Sequence, residues 1–209
     1  MSAMTEVSSL TGRLLVATPA LADPNFDRAV VLVIDHDGAG TLGVVLNRPT
    51  AVGVDEILAP WAELAGAPGV VFRGGPVGQD SALGVAVVPG AGASSSTAPA
   101  SGPGSGAPPD GGCPVGWRRV HGAIGLVDLD APPELLAAAL GSLRIFAGYA
   151  GWGPGQLEDE LTEGAWYVVD SEPGDVSSPR PEGLWREVLR RQRGTLAMIA
   201  TYPDDPSMN

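Results

Sequence analysis

The 209-residue chain has no lysine; all 12 of its basic residues are arginine. That excludes Schiff-base chemistry on a lysine amine and a Walker A loop, whose lysine holds the phosphates. It has one cysteine, Cys113, so an internal disulfide is impossible. It has two histidines, His36 and His121, and no HExxH run, paired cysteines or spaced acidic loop, so no metal site is expected. No apolar run approaches the roughly 18 residues a membrane span needs, so no membrane association is expected. The first ten residues, MSAMTEVSSL, lack the basic and long apolar regions of a secretory signal. These absences point to a cytoplasmic protein. The GxSxG elbow of a serine hydrolase is also missing, and the serines cluster near 94–105.

Acidic residues number 24, giving a net charge of −12. Such a field repels nucleic acid, whose binding requires phosphate neutralisation. The run Arg186, Arg190, Arg191, Arg193 could form a basic patch, but it falls in the last turns of a helix, where cations complement the dipole.

Hydrophobic residues make up 44% of the chain, enough for a real core. Arg13–Ala17 reads as a strand. Residues 29–34 (AVVLVI), a turn at 35–40 and residues 41–47 read as a hairpin. Residues 55–65 have helical spacing interrupted by Pro60, which predicts two short helical pieces or a helix beginning near Pro60. Further strands are expected at 70–72, 82–88, within 117–129 and at 165–169. Helices are expected at 132–140 and 184–193, with residues 172–181 as loop. Pro89–Pro114 is almost wholly Gly, Ala, Ser, Pro and Thr and reads as a flexible surface loop. Cys113 at its end is expected to be an unreactive exposed thiol. His36, inside DHD, is expected in a turn capped by its neighbours.

The densest signal is FAGYAGWGPGQLEDEL, Phe146–Leu161. An apolar run passes through Gly148, Gly151, Gly153 and Gly155 into a stretch with Leu157 and Leu161 four apart. The order predicts strand, glycine turn, helix. Pro154 suits a first helical turn, and Glu158 and Asp159 suit its positive end. The spacing is not GxGxxG and the acids would repel a phosphate, so a turn packing Tyr149 and Trp152 is favoured over nucleotide binding.

The strings RLLVATPALADPNFDRAVVLVIDHDGAGTLGVVLNRPT, FRGGPVGQD and LRIFAGYAGWGPGQLEDELTEGAWYVV, in that order, resemble the YqgE/AlgH family of bacterial proteins over about residues 12–190. The matching positions are Asp23, Pro24, Phe26, Arg28, Asn47, Pro49, Gly74, Gly75, Pro76, Gly148, Tyr149, Gly151, Trp152, Gly153, Pro154, Gly155 and Gln156. The resemblance implies a single α+β domain, residues 12–200, with a bent mixed β-sheet curling into a pseudo-barrel flanked by helices. Tails at 1–11 and 201–209 and the insert at 89–115 stand outside that pattern. The family's biochemical function is not established. Some members carry a transcriptional-regulator label, but no helix-turn-helix or basic recognition helix is present to support it.

The resulting expectation is a non-enzymatic binding or regulatory module with no cofactor, whose partner is a small molecule or a protein. An enzyme or nucleotide binder is the alternative, and a direct DNA-binding regulator ranks last. The expected groove joins Gly148–Gln156 to the Gly74-Gly75-Pro76 turn and the Asp23–Arg28 loop. Trp152 would serve as anchor, with Arg28 and Arg73 as charges and Asn47 nearby. The rival expectation is that Trp152 is core and the glycines only permit the bend.

Overall fold

A computed structural model describes residues 9–91 and 114–202. Most of the two terminal tails and most of Pro89–Pro114, including Cys113, therefore lie outside the described residues. The strands are β1 Arg13–Ala17, β2 Val30–Asp37, β3 Gly40–Val45, β4 Pro49–Gly53, β5 Val70–Arg73, β6 Val77–Val87, β7 Trp117–His121, β8 Ile124–Val127, β9 Ser142–Trp152 and β10 Trp166–Asp170. The helices are short: α1 Val54–Ile57, α2 Gln156–Thr162, α3 Pro173–Val176, α4 Leu184–Arg191 and α5 Thr195–Ile199.

β9 is the strand the sheet is built on. The path runs β10-β1-β2-β3-β9-β6-β8-β7, with β5 parallel to β9 and antiparallel to β4. The N-terminal part of β9 pairs with β6 along one edge and with β5 at Phe146 and Ala147. Its last three residues pair with β3. One strand thus serves both halves of a mixed sheet. Leu14, Val16, Val30 and Leu32 from one half meet Val85, Phe146 and Phe72 from the other, together with Trp185, Val188 and Leu189 of α4, in one buried cluster. A flat sheet could not bring those positions together, so the sheet curls around this core, which α4 helps to fill, in the expected α+β architecture.

Alternation explains the unbroken apolar run of β2. Val30, Leu32 and Ile34 face the inner cluster, while Val31 and Val33 face a second one with Leu15, Trp152, Leu157 and Trp166. Each fully buried Val or Leu stabilises by about 1.5–3 kcal/mol relative to exposure. Pro60 has the expected effect: α1 ends and a 3-10 turn, Ala59–Leu64, follows. Among the described residues no helix is long and apolar enough to cross a membrane.

Several local expectations are corrected. Gly148 and Gly151 lie within β9, not in a turn, so the strand runs on to Trp152. His36 lies in β2, and the hairpin turn is only Gly38-Ala39. The helix expected at 132–140 is a 3-10 turn, Pro133–Leu135, followed by turns, because only isolated helical bonds form after it, Ala137 N–H to Pro133 and Leu140 N–H to Leu136, and they do not run on as a ladder. Part of 172–181 is helical, as α3.

Candidate functional site

The Asp23–Arg28 loop is a tight turn fixed by its own polar groups. The Asp23 carboxylate accepts the Asn25 N–H at 2.8 Å, and its carbonyl accepts those of Phe26 and Asp27 at 2.9 and 2.8 Å. Asn47, 4% exposed, clips the loop to the sheet. Its amide donates to the Arg28 carbonyl and its oxygen accepts the Val30 N–H, both at 2.9 Å. Arg28, with φ of 52°, turns its guanidinium to the Trp185 ring at 5.1 Å. It braces the loop against α4.

Where this loop meets the turn after β5, Pro24, Asn25, Val45, Arg48, Arg73, Gly75 and Pro76 line a cleft of about 50 Å³. That volume suits a few waters or one oxyanion group. Arg48 is half-buried and donates to the carbonyls of Asp27 and Asn47. Its pKa is lowered, chiefly by burial and further by the charge of Arg73, with Asp27 working in the opposite direction. Among the described residues no carboxylate forms an ion pair with Arg48 or Arg73. Half-buried Arg48 and exposed Arg73 thus share the cleft, with the Asp27 carboxylate acting on Arg48 at longer range than an ion pair. Of the residues expected to line a groove, Pro24, Arg73 and Gly75 do line this cleft. Asn25 of the 23–28 loop and Pro76 of the Gly74-Gly75-Pro76 turn line it as well, while Val45 and Arg48 are additions from the structure; the sequence signal for Arg48 is its place beside Asn47 and Pro49.

The glycine–tryptophan stretch stands behind the cleft. Trp152 is 5% exposed, 6.0 Å from Phe26 and 5.9 Å from Trp166 between ring centroids. Phe26 and Trp166 complete the cluster at 5.5 Å. Both indole N–H groups donate to one oxygen of Glu160, at 2.9 Å from Trp152 and 2.8 Å from Trp166. Gln156 donates to the other oxygen at 3.0 Å and accepts the Gly153 N–H at 3.1 Å. Glu160 therefore ties the end of β9, α2 and β10 together, a role that only the four-residue spacing from Gln156 hinted at. Pro154 and Gly155 form the turn into α2.

The paired glycines serve chain approach. A Cβ on Gly74 would lie 2.2 Å from the Gly148 carbonyl oxygen, and one on Gly75 2.2 Å from the Tyr149 carbonyl. Gly148 itself takes φ of 71° opposite a register shift in β6 between Val77 and Ala82. Tyr149 packs at the margin of the inner core, and Gly151 is exposed in the strand.

His36 occupies a separate place, with its side chain 3% exposed. Nδ1 lies 2.7 Å from the Thr41 hydroxyl and Nε2 3.6 Å from Glu158 Oε1. His121 is exposed at the end of β7. The arginine run is largely engaged locally. Arg186 donates to the Ala200 carbonyl at 2.7 Å, and Arg191 pairs with buried Asp175 and with Glu172. Burial acts to lower the Arg191 pKa, but the Asp175 hydrogen bond and the surrounding carboxylates outweigh it, and the net shift is upward.

Comparison with known proteins gives a consistent picture. A UPF0301 protein of Streptomyces avermitilis is 77% identical over 209 residues, spanning 100% of both chains. One of Mycobacterium tuberculosis is 44% identical over 198 residues, 95% of this chain and 90% of that one. A crystal structure of a Corynebacterium diphtheriae protein shares 31% identity and a TM-score of 0.78, over 92% of each chain. The solution structure of the AlgH protein of Pseudomonas aeruginosa, 22% identical, shares the fold with a TM-score of 0.61 over 98% of this chain and 100% of that one. The profile described as AlgH-like matches residues 14–197, from within β1 into α5, and the chain belongs to this AlgH-like family.

Proposed function

We propose that this protein is a non-enzymatic binding module that recognises an oxyanion, a carboxylate or phosphate group carried by a small molecule or protein partner, in a cytoplasmic setting. The observation that carries the reading is the convergence of Arg48 and Arg73 on one half-enclosed cleft, with no carboxylate in ion-pair contact with either among the described residues. Arginine presents a planar fork that matches both anions. The cleft admits the anionic head and leaves the rest of the ligand outside, so specificity beyond charge would come from the rim at Pro24, Asn25 and Pro76. With an overall charge of −12, the local arginines must overcome a repulsive field, so binding should weaken at higher salt. The Gly148–Gln156 stretch supports the site from behind by holding Phe26 through Trp152.

A thermal-shift screen of anionic metabolites, short peptides with free C-termini, nucleotides and inorganic phosphate tests the proposal. A ligand of the folded state raises the melting point by mass action. The expected hits carry an exposed carboxylate or phosphate and lose their effect in Arg73→Gln. Hits confined to neutral or cationic compounds would refute it.

A further inference from the structure

We infer that the outer edge of β7 is a docking site for an extended, acidic segment of a partner protein, which adds to the sheet as a further strand. β7 ends the sheet path and pairs with β8 alone. Trp117, Arg118 and Arg119 stand opposite Val127, Leu126 and Gly125 in that pairing. The Gly116 carbonyl accepts the Asp128 N–H at 2.8 Å. With the two-residue period of an antiparallel ladder, Arg118 then turns its backbone groups to β8 and Trp117 turns its carbonyl away from it. An edge of this kind offers main-chain groups to an added strand. The His121 end of β7 meets another segment, since a Cβ on Gly12 would lie 2.2 Å from the His121 Cβ. An added segment therefore has its room at the Trp117 end, where Gly116, Trp117, Arg118, Leu126, Val127 and Asp128 line a cleft of about 470 Å³.

Charge selects the occupant. Arg118 and Arg119 are exposed neighbours on this edge, whereas β4 and β10, which also have one strand neighbour each, carry no basic residue. Arg119 lies 6.0 Å from the Trp117 ring centroid, and Arg118 is the positive charge on the cleft. Among the described residues no carboxylate forms an ion pair with Arg118. The Asp128 carboxylate, which shares the cleft, accepts the Asp130 N–H at 3.0 Å. Trp117 is 6% exposed, and its buried indole N–H has no acceptor among the described residues, so the cleft wall holds a donor that the fold leaves unused. A second copy of the chain fits this edge poorly. Two β7 edges paired antiparallel would set their arginines against one another, and each copy carries a charge of −12. An acidic segment instead places a carboxylate opposite Arg118. Because side chains two apart share a face, an apolar residue two positions on falls on the face that Arg118 and Leu126 share. This edge is distinct in lining from the Arg48–Arg73 cleft, and it takes a main chain as well as an anion.

The test titrates the full chain, by residue-resolved NMR at low salt and neutral pH, with the capped peptide STVDVFTS and with its counterpart carrying lysine in place of the aspartate. Two further forms of the acidic peptide are N-methylated on the amides of one edge or of the other. The expected result is saturable shifts at residues 116–120 and 126–128 with a Kd at or below about 1 mM. Binding should be about tenfold or more weaker for the lysine peptide, and about as much weaker for the acidic peptide in Arg118→Glu, a change at an exposed side chain. Arg118→Glu should bind the lysine peptide better than the parent does. One N-methylated form should lose binding while the other keeps it, because only one edge of the peptide faces β7. No saturable shift at those residues, equal binding of the acidic and lysine peptides, or equal binding of the two N-methylated forms overturns the inference and leaves the arginines as charges that keep the edge unpaired. Shifts at the same residues on dilution of the chain without peptide would overturn it in favour of a second copy.

Discussion

Replacing Trp152 with alanine separates two roles for the most distinctive stretch of the chain. Trp152 is almost fully buried, sits between Phe26 and Trp166, and donates its N–H to Glu160. Truncating a core tryptophan costs about 3–5 kcal/mol. The two ring pairs belong to that figure, at about 0.5–1.5 kcal/mol each beyond area burial. Trp152→Phe divides the total: it keeps the stack and removes the N–H, while Glu160 retains Trp166 and Gln156 as donors, so about 1–2 kcal/mol should be lost. Urea unfolding monitored by circular dichroism measures both, with the slope expected to match the parent so that the midpoint shift reports stability. A loss below about 1 kcal/mol for Trp152→Ala would refute the structural role assigned here and return Trp152 to the status of a ligand anchor.

Three further outcomes are expected. Gly75→Ala should yield little folded protein, since its Cβ would fall 2.2 Å from the Tyr149 backbone; soluble expression with a parent-like melting point would contradict that packing. Asn47→Ala should lower stability by about 2–4 kcal/mol in chemical denaturation, because it strands the Val30 N–H and the Arg28 carbonyl together; a loss under about 0.5 kcal/mol would show that the clip is not needed. Duplex DNA should give no shift in a gel assay at physiological salt, given the charge of −12 and the local pairing of Arg186 and Arg191; a tight, steeply salt-sensitive shift would reverse this.

What the sequence made legible follows from short-range physics. The apolar run at 29–34, the helical face of Leu184, Trp185, Val188 and Leu189, and the break at Pro60 are local patterns, and each appears in the fold. The dense glycines of 148–155 carry the local signature of a turn, because glycine marks turns. The structure uses Gly148 inside β9, where the chains of Gly74 and Gly75 press on it, an interaction between segments some seventy residues apart that no local window contains. DHD resembles a turn for the same local reason, yet cross-strand pairing carries β2 through Asp37. The cleft was half legible. Arg73 and Pro24 were visible beside turn signals, whereas Arg48 enters only because Asn47 folds the 23–28 loop back over β3.

Residue-resolved NMR of the 21.2 kDa chain during titration with inorganic phosphate, and separately with acetate, tests the anion cleft most directly. The account predicts saturable amide shifts concentrated at Asn25, Arg48, Arg73 and Gly75 with at least one of the two anions, abolished in the Arg48→Gln, Arg73→Gln double variant and reduced by added salt. Shifts absent from those residues with both anions, or unchanged in the double variant, would contradict it.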